Sequence, residues 1–159
     1  SRGLGDVYKR QLPDTAVMRI ELPEGLPTIW ADASHLEQVL MNITANSRSA
    51  MGEFGTLTIK ASATSTPRCH LHDELPTSQQ AWVLLEVSDT GVGIEPDAIA
   101  RVWEPFYTTH RNDPDASAGL GMSTVHGIVH QYGGHVLLAS EVGVGTTVSV
   151  YLPAHSTAA

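Results

Sequence analysis

The chain has 159 residues, 42% of them hydrophobic, which suits one domain built around one core. A formal net charge of -8 with only 16% charged residues offers no basic stripe to neutralise a phosphate backbone, which argues against nucleic acid as a partner. One cysteine, Cys69, rules out an internal disulfide, no Cys/His spacing reads as a zinc motif, and no apolar run approaches the roughly 20 residues that span a bilayer.

The expectation is a soluble fragment, free of direct membrane contact and compatible with a reducing cytoplasm. A longer parent remains free to carry an anchor. Residues 1–11 lack hydrophobic periodicity, and Asp6 to Gln11 resemble a translated sequencing-library adaptor. They read as a non-native scar or a disordered tail, residues 12–153 as the domain, and residues 154–159 as a C-terminal tail.

In chain order, Val17 to Leu22 alternates like a strand, with Met18, Ile20 and Leu22 on one face. PEGLP follows as a turn, and Thr28 to Ala31 reads as a second short extended piece leading to Asp32. From Ser34 the spacing turns helical: Leu36, Val39, Leu40, Ile43 and Ala50 share a broad face, and Gly52 sits where a helix stops. Thr56 to Ala63 and Trp82 to Ser88 are β-rich runs able to pair as a hairpin across a polar loop containing Pro67, Cys69, His70, His72 and Pro76. Asp97 to Trp103 reads as a short helix, and Thr108 to Ala118 as a polar mobile loop. Leu120 to Tyr132 is helical, Gly133 and Gly134 end it, and the strands His135 to Ala139 and Thr146 to Leu152 flank the turn EVGVG. These elements predict an α+β fold, a two-layer α/β sandwich in which helices cover one face of a mixed sheet.

Four short strings punctuate that pattern: NITAN at Asn42 to Asn46, DTGVGI at Asp89 to Ile94, EPFYTTH at Glu104 to His110, and GLGMS at Gly119 to Ser123. Asn42 and Asn46 are one helical turn apart, so both amides project from one face and can converge on one ligand. An amide oxygen is a hard, neutral ligand for Mg²⁺ and the NH₂ can donate to phosphate. Taken alone, the pair reads equally well as two asparagines on a solvated face. Asp89 ends a strand and precedes a turn in which Gly91 and Gly93 allow backbone to approach a flat ring. A carboxylate there can accept from an exocyclic amine, although an Asx turn on a plain hairpin gives the same string. Gly119 and Gly121 open a helix whose free N–H groups and dipole favour an anionic phosphate, or simply form a tight loop for helix packing. Phe106 fits a hinge anchor or an ordinary core aromatic.

In this order the four strings resemble the N box, first glycine box, F box and second glycine box of the ATP-binding catalytic domain of bacterial sensor histidine kinases, over about Val17 to Pro153. The resemblance implies a Bergerat ATP-binding fold, with Mg²⁺ and ATP as cofactors and a bacterial, cytoplasmic setting. It implies that Asn46 is the metal ligand, with Asn42 supporting phosphate or water. Asp89 would select adenine. Gly91, Gly93, Ile94, Gly119, Leu120, Gly121 and Met122 would line the nucleotide, with Phe106 under the lid and His110 or Arg111 near the terminal phosphate. Ser117 stands where the family usually has the first glycine of its second box, a departure that bears on lid closure and not on adenine recognition.

Related ATPases of the gyrase, mismatch-repair and Hsp90 types place a glutamate where this chain has Asn42, and an amide is no general base at neutral pH. The resemblance therefore implies a protein-histidine kinase that passes the γ-phosphoryl to an imidazole on a separate helical dimerisation domain, with a response regulator receiver domain downstream. None of the eight histidines sits in the family's acceptor pattern. The alternatives are an ATP-sensing or partner-docking module without transfer, and an anti-sigma-type protein-serine kinase.

Overall fold

The computed structural model describes residues 16–69, 80–105 and 121–155. A five-stranded sheet is the frame, built from β1 (Ala16–Glu21), β2 (Gly55–Thr64), β3 (Trp82–Asp89), β4 (His135–Glu141) and β5 (Gly145–Pro153) in the order β1-β2-β3-β5-β4. β1 runs parallel to β2, and the other neighbours are antiparallel. A parallel pair needs a crossover, and the helix α1 (Ala33–Met51) supplies it. Two further helices are α2 (Pro96–Ile99), continued by a 3-10 turn over Ala100–Trp103, and α3 (Gly121–Gln131).

The α1 boundaries follow from local chemistry. Asp32 caps the N-terminus, its Oδ1 accepting from the Ser34 backbone N–H at 2.9 Å and the Ser34 hydroxyl at 2.7 Å. Those two bonds hold the Asp32 carboxyl below its ordinary range. Gly52 closes the other end at φ +67, donating to the Arg48 carbonyl. α3 ends when the Gly134 N–H reaches back to the Val129 carbonyl and Gly133 to His130, the paired bonds of a glycine-terminated helix.

Strand register decides which side chains meet the helices. Leu57 and Ile59 of β2, Val87 of β3, Val148, Val150 and Leu152 of β5, and Val136 and Leu138 of β4 form the inner face. Val39, Leu40 and Ile43 of α1 and Met122, Val125 and Val129 of α3 close over it. The two-layer mixed-sheet architecture expected from the sequence is the one observed.

The extended piece expected over residues 28–31 makes one isolated bridge, Ile29 to Ala154. Local expectations differ in two places. The helix expected over Asp97 to Trp103 divides into one α turn and one 3-10 turn. In β1 only Met18 of the expected apolar face packs on the core; Ile20 and Leu22 are exposed at the sheet edge.

Candidate nucleotide site

The inner face of the sheet changes character at one end. The register sets Asp89, Thr146 and Ser140 side by side across β3, β5 and β4, one step beyond the apolar row Val87, Val148 and Leu138. Core hydrocarbon thus gives way to a polar floor. Asp89 is buried, at 9% exposure. Its Oδ1 accepts from the Gly91 N–H at 2.9 Å, and the carboxylate also accepts from the Ser47 hydroxyl of α1 and the Thr146 N–H of β5. Burial nevertheless raises its pKa above the ordinary value of 3.8, the three donors offsetting this only in part. A desolvated carboxylate in this state gains from one more donor of the right geometry, such as a ring amine.

The first glycine box forms the adjoining wall. A Cβ on Gly91 would lie 2.7 Å from Ala50 on α1, and the Val92 N–H donates to the Ala50 carbonyl at 3.0 Å, so the turn is seated directly against the helix. Gly93 adopts φ +78, and a Cβ there would meet the Glu141 carbonyl oxygen at 2.3 Å. Both positions require glycine, for contact at the first and for contact and conformation at the second. The Ile94 N–H donates to Ser140 Oγ at 2.8 Å; that hydroxyl donates in turn to the Gly145 carbonyl at 3.0 Å and lies 2.7 Å from Thr146 Oγ1. Ser140 therefore ties the glycine turn to the β4-β5 hairpin.

Along α1, Asn42 is engaged on both sides of its amide. Oδ1 accepts from Gln38 at 3.0 Å, and Nδ2 donates to the carbonyl of Gly121, the first described residue of α3, at 3.2 Å. Asn46 follows one turn later, partly buried, immediately before the Ser47 that touches Asp89. Asn42, Asn46, Asp89, Gly91, Gly93, Ile94, Gly121 and Met122 thus belong to α1, α3 and the sheet end that these contacts join. Phe106, Gly119, Leu120, His110, Arg111 and Ser117, and the loop expected over Thr108 to Ala118, lie outside the described residues.

Ser47, Thr146 and Ser140 went unnoticed in the sequence. Each hydroxyl sits in a position that patterning assigns to core, and only strand register and the seating of α1 reveal that it faces a carboxylate or a turn.

Comparison with known proteins fits this arrangement. Residues 31–156 match the family model described as histidine kinase-, DNA gyrase B- and HSP90-like ATPase. The chain belongs to that family. Over 139 residues it is 38% identical to the sensor kinase CckA of Brucella abortus, covering 86% of this chain and 14% of that protein. Over 140 residues it is 33% identical to the sensor histidine kinase ZraS of Escherichia coli K12, covering 88% of this chain and 26% of that one. The chain therefore spans between about a seventh and a quarter of these relatives' length. Among solved structures, full-length ShkA in complex with AMPPNP superposes with a TM-score of 0.77 at 28% identity, covering 99% of this chain and 30% of ShkA. The catalytic domain of the histidine kinase ThkA shares the fold, with a TM-score of 0.70 at 20% identity, covering 96% of this chain and 90% of that one. Among the described residues, no helix is long and apolar enough to cross a membrane.

Proposed function

We propose that this chain is the ATP-binding catalytic domain of a bacterial two-component sensor histidine kinase, which binds Mg²⁺–ATP and donates its γ-phosphoryl to a histidine on a separate helical dimerisation domain. The observation that carries the reading is the buried Asp89 carboxylate, backed by Ser47, Gly91 and Thr146 at the end of an otherwise apolar sheet face. Family membership, sensor-kinase relatives and the AMPPNP-bound ShkA neighbour support it.

In this reading Asp89 accepts from the adenine amine, while the Gly91–Gly93 turn and Ile94 flank the ring. Asn46 offers its amide oxygen to the Mg²⁺ of the substrate, a hard neutral ligand suited to an ion that keeps most of its waters. The start of α3 at Gly121 and Met122 cradles the phosphates through backbone N–H groups, and the family resemblance adds Gly119, Leu120 and Phe106 to the nucleotide-binding set.

Asn42 stands where a hydrolytic relative would carry a general base, and its amide is committed to Gln38 and Gly121. Water activation is absent from its repertoire. The chain then positions the triphosphate for in-line attack by an imidazole nitrogen. A phosphorus–nitrogen bond forms, the bond from phosphorus to the β,γ-bridging oxygen breaks, ADP leaves and the imidazole proton passes to solvent. The parent's receiver-domain partner takes the phosphoryl next.

Calorimetry with Mg²⁺–ATP tests binding, with loss expected in Asp89→Asn and Asn46→Asp. A trans-phosphorylation assay with a matched histidine-bearing helical domain tests transfer, and its product should be acid-labile and alkali-stable. Absence of any binding heat defeats the reading; binding with persistent failure of transfer leaves an ATP-sensing module, and an acid-stable product a serine kinase.

A further inference from the structure

At the end of the sheet away from Asp89, the fold gathers Cys69, which follows β2, with His130 in the last turn of α3 and His135, the first residue of β4. In sequence, Cys69 and His130 are 61 residues apart, which is why no linear metal motif is legible. In space, one ligand atom from each lies within 4.8 Å of the others, and Cys69 Sγ is 3.9 Å from His130 Nε2. Cys69 is 5% exposed and the two histidines are partly buried, so the three donors are largely withdrawn from the surface.

The orientation of His130 is set from behind. Its Nδ1 lies 2.9 Å from the His126 carbonyl, which can only accept, so Nδ1 is the donor there and Nε2 is the nitrogen left facing the sulfur, with a lone pair in the neutral ring. Metal-binding imidazoles are held in this way, the far nitrogen donating to a carbonyl or carboxylate. The His126 ring stacks on His130 at a centroid distance of 4.1 Å, and the His135 ring meets His130 edge-on at 6.0 Å. His130 also sits at the carbonyl end of α3, where the helix dipole favours positive charge.

We infer that Cys69, His130 and His135 form a binding site for a thiophilic divalent cation of the zinc type, one thiolate and two imidazoles with an open fourth position. Tetrahedral zinc places sulfur and nitrogen donors about 3.5 Å apart, so donors already within 4.8 Å of one another have little distance to close. Binding takes the thiol as thiolate and releases its proton to solvent. The site clips the segment after β2 to the α3-β4 junction. It is separate from the nucleotide cleft: along α3, Gly121 and His130 are nine residues and therefore about 13 Å apart.

The test uses the tag-free 159-residue chain with Zn²⁺ or Co²⁺ alone. Dialysis should show about one ion per chain. The Co²⁺ form should show the visible bands of a tetrahedral site and a near-ultraviolet thiolate-to-cobalt band. Cys69→Ser should remove that band, and Cys69→Ser, His130→Gln and His135→Gln should each weaken binding at least about tenfold, with Mg²⁺–ATP binding retained. No stoichiometric uptake by the wild-type chain, or a Co²⁺ spectrum without thiolate character, overturns the inference whether or not the variants fold. Uptake unchanged in the Cys69→Ser and His135→Gln variants overturns it as well.

Discussion

The side-chain amide of Asn42 donates to the backbone carbonyl of Gly121, joining the middle of α1 to the first described residue of α3. The two helices beside the candidate site are therefore fastened to each other, and the fastening has a measurable strength. A neutral hydrogen bond of this kind contributes about 1 kcal/mol. Asn42→Ala should lower stability by about that amount in urea unfolding, and weaken Mg²⁺–ATP binding in calorimetry. Asn42→Asp should do more damage, since a carboxylate has no N–H to donate and faces a carbonyl. Equal affinity in all three proteins would show that the tether does not shape the cleft.

Asp89 makes stability depend on pH in a defined direction. Burial raises its folded-state pKa above the ordinary value, so in the interval between the two the folded chain binds more protons than the unfolded chain. Stability contributed by this group accordingly falls as pH rises from the ordinary carboxylate value through the raised one, then levels off. Melting curves of wild type and Asp89→Asn should show the variant gaining on wild type across that interval. The opposite trend would mean a carboxylate favoured by folding. Nucleotide binding by wild type should strengthen over the same rise, because an ionised acceptor serves the amine.

Two glycines give opposite outcomes. Gly91→Ala pushes a methyl group to within 2.7 Å of Ala50 on α1 and should cost about 1–3 kcal/mol. Gly127, on the exposed side of α3, has nothing within 4 Å of an added Cβ, and Gly127→Ala should stabilise the helix by about 0.5–1 kcal/mol. Denaturant midpoints compare the pair directly. Similar losses in both would contradict the close seating of the turn.

Ser140→Ala strips the acceptor from the Ile94 N–H and the donor from the Gly145 carbonyl. A loss of about 1–3 kcal/mol is expected, with faster amide exchange at Ile94 than elsewhere in the turn. Exchange at Ile94 no faster than in wild type would remove Ser140 from this role.

Much of this architecture was legible because periodicity and punctuation agree. Leu36, Val39, Leu40 and Ile43 mark the inward face of α1, Gly52 and Gly133 end helices where expected, and the alternation in Val148, Val150 and Leu152 fixes which side of β5 faces inward. Residues 28–31 were legible as an extended piece, but not that its one bridge is made to Ala154, at the far end of the chain. Asp89, Gly91 and Gly93 stood out through residue type and local order. Ser47 and Thr146 did not: their importance is a relation between a helix and a sheet, set by tertiary packing. Cys69, His130 and His135 were hidden for the same reason, their association depending on chain reversals far apart in sequence.

The apolar row Val87–Val148–Leu138 lies immediately behind Asp89–Thr146–Ser140 on the same three strands, about 7 Å away. Interior looseness there becomes positional blur in a hydrogen-bond acceptor. If Asp89 accepts from adenine as proposed, a shortened side chain at Val148 would be felt by the ligand without touching it, as poorer discrimination between purine bases. In the proposed function, tight packing in this domain is thus part of its chemical selectivity.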